Sequence, residues 1–323
     1  MILIITNTQD LTSDFVVREI SSRSQPFVRL NTDEFPAFAR GIASFGLKES
    51  RLLVSWKNRD KILDFDKVTS VLYRRPVPPI PDEGITDPAI RQFCTDECYD
   101  FLRGLWFSLE CYWMSHPEAI RMAEHKVYQL KIAQALQFSI PKTLITNDPS
   151  VIRSFFNDCE QGIIIKPLYL GFIKQAQQSK NIFTSIVSEK DLEDVESISL
   201  APSIFQENIV KQFDIRVTVV GERVFAAKIM ATSLPENIPD WRFAPIDNLS
   251  HYKYDLPDDV QSACVKLVRR LGLNFGAIDL ALDNKGDFVF FEINPNGQWA
   301  WLETMLGFPI SETIVDQLSK PPI

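Results

Sequence analysis

Phe275-Gly-Ala-Ile-Asp279-Leu-Ala-Leu-Asp283-Asn-Lys-Gly286-Asp287-Phe-Val-Phe-Phe-Glu292-Ile-Asn294-Pro-Asn296-Gly297 is the most informative stretch of this chain. Two apolar runs flank the turn signal Asp283 to Gly286, as in a hairpin. Side chains alternate across a strand, so Glu292 and Asn294 share one face while Val289, Phe291 and Ile293 take the other. Asp279 lies on the partner strand. Two carboxylates and an amide oxygen are thus expected on one sheet face, and hard oxygen ligands of this kind suit Mg²⁺. The competing reading is a solvated strand face. That accounts poorly for a polar pair set between Phe and Ile and followed by a Pro-Asn-Gly turn.

The rest of the sequence bounds what such a metal face could serve. Its 323 residues suit two or three packed domains, and 45% apolar with 24% charged side chains describes an ordinary globular protein. A net charge of −8 disfavours nucleic acid as partner, because a phosphate backbone requires a basic face. No apolar run approaches the ~20 residues of a membrane helix. Met1 to Asn7 lacks a basic n-region and reads as a strand, so a cytoplasmic protein without membrane attachment is expected. Five cysteines without a CxxC pair read as reduced thiols, and three scattered histidines offer no zinc spacing.

Residues 1–75 alternate strand and helix signals: Ile2 to Ile5, a helix from Thr12, then Phe27 to Asn31 and Val71 to Tyr73. This β-α-β order predicts a small parallel sheet, without GxGxxG. After the Pro-rich stretch 76–84, Ile90, Phe93, Phe101, Leu105, Leu109 and Tyr112 recur at helical spacing up to Pro117 and predict a packed helix. A helix over 125–138, a strand at 143–146, a helix at 149–157 and strands from Gly162 and Ser203 follow. From 211 the chain becomes strand-rich, with two alternating runs joined at Gly221-Glu222. A helix opens at Pro257, and another spans Pro309 to Leu318.

Anionic phosphate requires cations. Lys166 ends the apolar run Gly162-Ile-Ile-Ile, and Lys126 begins a helix, where the dipole disfavours a cation unless an anion is near. Each lysine taken alone also fits a solvated, snorkelling role. Gly171 falls in a loop that would cover phosphates. Arg216, Arg223 and Lys228 fall in the hairpin; Arg216 and Lys228 are expected over one cleft, with an ordinary basic hairpin surface as the alternative.

Taken in order, Lys126, Ile164-Ile-Lys166-Pro, Gln206 to Val217, Ala277-Ile-Asp279 and Phe291-Glu292-Ile-Asn294-Pro resemble the ATP-grasp ligases. Within that likeness, Leu72-Tyr-Arg74-Arg75-Pro76, Asp240-Trp241-Arg242 and Asn294-Pro-Asn-Gly-Gln-Trp299-Ala-Trp301-Leu-Glu303 resemble the microviridin-type maturases, the graspetide synthetases that crosslink ribosomal precursor peptides. Asp214-Ile-Arg216 with Asp240-Trp241-Arg242 is also similar to ligases that add glutamate to protein tails. The resemblance implies an α/β (α+β) ATP-grasp fold with an N-terminal pre-ATP-grasp parallel-sheet domain over 1–120, a central subdomain over 121–210 and a C-terminal subdomain over 211–323.

It also implies roles. Lys126 and Lys166 would hold the α- and β-phosphates of ATP. Gln206, Glu207, Asn208 and Ile209 would form the hinge over adenine, backbone groups of Glu207 and Ile209 reading its edge, with Asp214 near the ribose. Arg216 and Lys228 would face the γ-phosphate and the acyl group, and Asp279, Glu292 and Asn294 would bind two Mg²⁺. This sequence has His125 where the family often has Asn, and a glycine-poor loop after Lys166.

The reaction implied is activation of a peptide Asp or Glu side chain as an acylphosphate, captured by Thr or Ser as an ester or by Lys as an amide. Arg242 presents a planar fork suited to the acceptor peptide's carboxylates; a surface-loop arginine beside Trp241 is the alternative. Arg74 and Arg75 are expected to hold domains together. The implied partners are a precursor peptide with leader and acidic core, and a second copy in a homodimer. Two rival functions remain: a ligase that adds a free amino acid to a peptide or protein tail, and a non-catalytic ATP-binding regulator.

Overall fold

The computed structural model describes residues 1–57, 60–169, 171–174, 179–232 and 239–320. They form two compact units, each taken by itself. One comprises Met1–Pro117, Gln298–Glu303 and Pro309–Ile323; the other comprises Glu118–Gly297 and Thr304–Phe308.

In the first unit, the strand Ile2–Thr6 is buried along its whole length. An unbroken apolar run of this kind is what a central parallel strand, covered on both faces, requires. It pairs in parallel with Phe27–Asn31 on one side and Ser70–Tyr73 on the other, and Tyr112–Trp113 extends the sheet. The helix Leu11–Ser22 makes the predicted crossover.

Three features depart from expectation. An antiparallel sheet of Ala39–Ser44, Arg51–Trp56 and Ile62–Asp64 is inserted before Ser70. Its inward face offers Ala39, Val54, Trp56 and Leu63, scattered over three short strands in a pattern too irregular to read from sequence. The long helix runs Pro88–Phe107, capped by Asp87 Oδ1 on the N–H groups of Ala89 (2.8 Å) and Ile90 (3.1 Å), and stops well before Pro117. Its apolar stripe is core only in the second half: Leu102, Leu105 and Trp106 are buried, while Ile90 and Phe93 are 55% and 64% exposed. Phe101 packs so closely on the inserted sheet that a Cβ on Gly41 would lie 2.2 Å from its ring.

The third departure concerns the C-terminus, expected within a 211–323 subdomain. The helix Ile310–Ser319 buries Ile310, Ile314, Val315 and Leu318 and packs against Leu11–Ser22 and Ser70–Tyr73. Ser70 Oγ donates to Leu318 O at 2.7 Å, and Arg23 pairs with Asp316 at 2.6 Å. An amphipathic face goes where apolar surface awaits it, whatever the distance along the chain. Glu303 supports this helix by accepting from Ser311 N (2.8 Å) and Oγ (2.6 Å).

The second unit holds a two-stranded ribbon, Phe172–Lys174 with Ser179–Asn181, and two larger sheets. The first, in the order Ser185–Val187, Ile163–Lys166, Ser203–Glu207, Thr143–Thr146, is antiparallel throughout. Its outer face packs Ile163, Val187 and Phe205 with Ile152 of the helix Pro149–Asn157. The second, also antiparallel, runs Leu249–Lys253, Arg223–Ala231, Lys211–Val220, Phe275–Asp283, Phe288–Asn294. The helix Asp258–Arg270, with Cys264, Val265, Leu267 and Val268 buried, covers one of its faces. No helix among the described residues is long and apolar enough to cross a membrane. All five cysteines are free thiols.

Candidate functional site

The two-residue turn Gly221-Glu222, with Gly221 at φ 58°, sets the register of the hairpin. Arg216 lies opposite both Ala227 and Asp279, and Asp279 lies opposite Glu292. Directly paired residues share a face, so Arg216, Asp279 and Glu292 form one row across three strands. Arg216 Nη1 donates to Asp279 Oδ1 at 2.6 Å. Asp214 stands two residues away on the same face and is paired with Lys211 at 2.7 Å.

Glu292 occupies an edge strand that a helix side chain anchors. Gln129, 1% exposed, accepts from Ile293 N (3.1 Å) and donates to Ile293 O (2.9 Å) and Ala123 O (2.6 Å). Its amide takes the place of a further strand. One turn earlier on the helix Lys126–Ala135, Lys126 Nζ meets Glu292 Oε2 at 2.7 Å. The expected tension between a first-turn lysine and the helix dipole is relieved by this carboxylate.

The four-stranded sheet contributes Ile164, Lys166 and Gln206, all on its inner face. Lys166 Nζ donates to Gln206 Oε1 at 3.0 Å. A short 3₁₀ turn, Trp241–Phe243, is capped by Asp240, whose Oδ1 accepts from Arg242 N (3.0 Å) and Nε (2.9 Å). This directs the Arg242 guanidinium to within 3.7 Å of Glu292 Oε1 and 3.9 Å of Asp279 Oδ2. These residues enclose a cleft of about 640 Å³, open in part to solvent, which Lys166, Gln206, Glu207, Asn208, Ile209, Asp214, Arg242, Asp279 and Glu292 help to line.

The electrostatics follow from the crowding. Burial by itself would raise the Glu292 carboxyl, but Lys126, Lys166 and Arg242 outweigh it and hold the group well below the ordinary carboxylate range. Burial works against the Arg242 charge too, yet Asp279, Asp240 and Glu292 drive its pKa above the usual guanidinium value. Burial lowers Lys166, only partly offset by Glu292, and raises Asp214 against the pull of Lys211.

One expectation requires correction. Lys228 lies opposite Ile215, on the other face of the sheet from Arg216, and its ammonium sits 4.0 Å from the centre of the Phe213 ring. It is not brought to the cleft. Asn294 shares the face of Glu292 and lies opposite Ala277; its Oδ1 accepts from Asn296 N at 2.9 Å and shapes the turn. That turn needs Gly297, where a Cβ would lie 2.2 Å from Ala277 Cβ. In the hinge, the Glu207 N–H donates to Lys142 O (2.9 Å).

Arg74 pairs with Asp10 at 3.1 Å and donates to Gln298, far along the chain, at 3.0 Å. Sequence reasoning missed Gln129, Lys211 and the lining residue Thr184, and set Phe291 on the face away from Glu292, whereas the register shift between the strands of Asp279 and Glu292 brings it to the cleft. Lys211 and Asp214 would face opposite ways on a regular strand; an irregularity between Lys211 and Phe213 turns them together, and no residue pattern announces it.

Among the described residues no cluster of three or more His, Cys, Asp or Glu side chains is placed to hold a metal. The Asp279–Glu292 pair is nevertheless the one-or-two-carboxylate set that Mg²⁺ takes when phosphates supply further oxygens. Two cationic atoms await an anion. Lys166 Nζ has a neutral amide as its hydrogen-bond partner, and buried Arg216 Nε has none among the described residues. The donor set therefore fits a divalent cation with a polyphosphate.

Architecture and cleft together define an ATP-grasp ligase, and the comparisons agree. The family described as the MvdD pre-ATP grasp domain matches residues 1–121. The macrocyclase MdnC of Microcystis aeruginosa MRC, solved with precursor peptide MdnA, is 32% identical over 99% of both chains, with a TM-score of 0.86. Macrocyclase MdnB of the same organism is 32% identical over 98% of both chains, with a TM-score of 0.79. A RiPP-associated ATP-grasp ligase of Chryseobacterium gregarium, solved with ADP and a leader and core peptide, is 27% identical over 100% of this chain and 97% of that one, with a TM-score of 0.91. No match was found among curated proteins. The chain belongs to the microviridin-type macrocyclase family of ATP-grasp ligases.

Proposed function

We propose that this chain is a cytoplasmic enzyme that joins an Asp or Glu side chain of a ribosomal precursor peptide to a Thr or Ser hydroxyl, as an ester, or to a Lys amine, as an amide, within that peptide. The observation that carries this reading is the Arg216–Asp279–Glu292 row facing Lys166 and Arg242 across one cleft. The precursor peptide bound to MdnC and the leader and core peptide bound to the Chryseobacterium ligase support the substrate class.

ATP with Mg²⁺ would supply the phosphoryl group that turns a carboxylate into an activated acyl donor, the metal neutralising the charge. Asp279, Glu292 and Asn294 would hold the metal, with two ions as the fuller proposal. Glu292 is suited to this because its cationic neighbours keep it ionised. Lys126 and Lys166 would hold the phosphates, Gln206 to Ile209 would pass along the base, and Asp214 would lie by the ribose. Arg216 would shift from Asp279 toward the transferred phosphoryl group. Arg242, its side chain half exposed, would grip the acidic side chain of the peptide. Most of the acceleration would come from positioning and fixed charge. We extend the proposal to a homodimer, which light scattering tests.

Incubation with ATP, Mg²⁺ and an acidic precursor peptide is expected to lower the peptide mass by one water per bond formed. A mass gain of one amino-acid residue would replace this reading with ligation of a free amino acid. Binding without turnover would mark a regulator.

A further inference from the structure

Thr143 begins the edge strand Thr143–Thr146, directly opposite Gln206. It does not line the cleft. Its hydroxyl donates to Pro141 O at 2.8 Å, and Gln206 Nε2 donates to Thr143 Oγ1 at 2.8 Å. Gln206 Oε1 then accepts from Lys166 Nζ at 3.0 Å.

The direction of this chain is forced from both ends. A hydroxyl has one proton, and the Pro141 carbonyl takes it, so Thr143 presents only lone pairs to Gln206. The amide must answer with its NH₂ group and so turns its oxygen the other way. At the far end an ammonium has three donors and no acceptor, so Lys166 demands that same oxygen. A reversed amide would set NH₂ against NH₃⁺.

We propose that Thr143 is a positioning residue for Lys166: it locks the Gln206 amide so that its oxygen aims the ammonium into the cleft. The inference rests on the phosphate-holding role proposed above for Lys166. Threonine suits the task, since its branched Cβ restricts χ1 and keeps the hydroxyl oriented on a strand. Valine at 143 matches its shape and strand preference but cannot accept from Gln206. The amide is then free to turn, and Lys166 loses its fixed direction.

The test measures binding of ADP with Mg²⁺, and of adenosine, to the full chain by calorimetry. Thr143→Val is expected to weaken ADP about tenfold, equivalent to about 1.4 kcal/mol, and to leave adenosine unchanged. Thr143→Ser restores the parent affinity. In a Gln206→Leu background, adding Thr143→Val produces no further loss, because the amide it orients is gone. ADP affinity equal to the parent in Thr143→Val, an equal loss for adenosine, or full additivity with Gln206→Leu each overturns the inference while the nucleotide reading of the cleft stands. A parent that binds no ADP overturns that reading and this inference with it. If Thr143→Val fails to fold, Thr143→Ala against Thr143→Ser makes the same comparison.

Discussion

Two arginine–aspartate pairs in this protein are built from the same groups and do opposite work. Arg74, 3% exposed, is paired with Asp10 in the first unit, and Asp10 also accepts from Thr6 (3.0 Å) and Ser13 (2.5 Å). All three contacts go to Asp10 Oδ2, and the residue is buried. Burial nevertheless pushes the Arg74 guanidinium down to about 10, against the pull of Asp10. Arg216 and Asp279 are paired at 2.6 Å beside a cleft, next to a second carboxylate and under a second arginine. There the carboxylate has Glu292 beside it to share a metal with, and both carboxylates line a cleft. Pair chemistry alone does not mark a site; a second carboxylate beside open space does.

The sharpest contrast comes from one substitution made in both places. Asp10→Asn should cost about 3–5 kcal/mol of stability by leaving a buried guanidinium without its countercharge, read as a lower denaturation midpoint. Asp279→Asn, which retains an acceptor for Arg216, should cost about 1–2 kcal/mol and instead reduce ATP-dependent turnover by about 10²–10³-fold. Equal stability losses with turnover intact would erase the distinction. Next in size, Arg242→Lys should raise the KM for the acidic peptide about tenfold with the fold unchanged, since an ammonium lacks the planar fork; peptide titration at saturating ATP reads it.

The smallest effect is in acid. Glu292 has a folded-state pKa below its ordinary 4.5. Its contribution to stability is therefore complete above that value and drains away as pH falls toward the folded-state pKa. Glu292→Gln should flatten the loss of stability below about pH 4.5, read in melts without nucleotide. A parent-like acid slope in this variant would show that Glu292 is not held ionised. Lys228→Met completes the series: with the ammonium over Phe213 and away from the cleft, turnover should stay within about twofold, since surface changes act within ±0.5 kcal/mol.

Part of the site was legible in strand alternation: Glu292 and Asn294 share a face, and Lys166 stands out as a charge closing an apolar run. That Glu292 lies opposite Asp279 was decided by a register shift at Asp279/Leu280, since strict register from the turn would set Phe291 there. The misplacement of Lys228 was avoidable. Across the two-residue turn Gly221-Glu222 the partner of Arg216 is Ala227, and a slip of one residue moves a side chain to the other face. The exposed Ile90 and Phe93 show the converse limit, since helical periodicity names a face without saying how far along the helix anything covers it.

From sequence alone came the ATP-grasp class, through resemblance to a family, and the strand-borne carboxylates and the cations expected to face them, because period-two alternation and turn chemistry act over a few residues. Tertiary structure alone decided that Gln129 clamps the Glu292 strand, that Thr143 sets the Gln206 amide, and that the last helix joins the first unit. Those contacts link residues tens to hundreds of positions apart, through hydrogen bonds and apolar burial that no local pattern encodes.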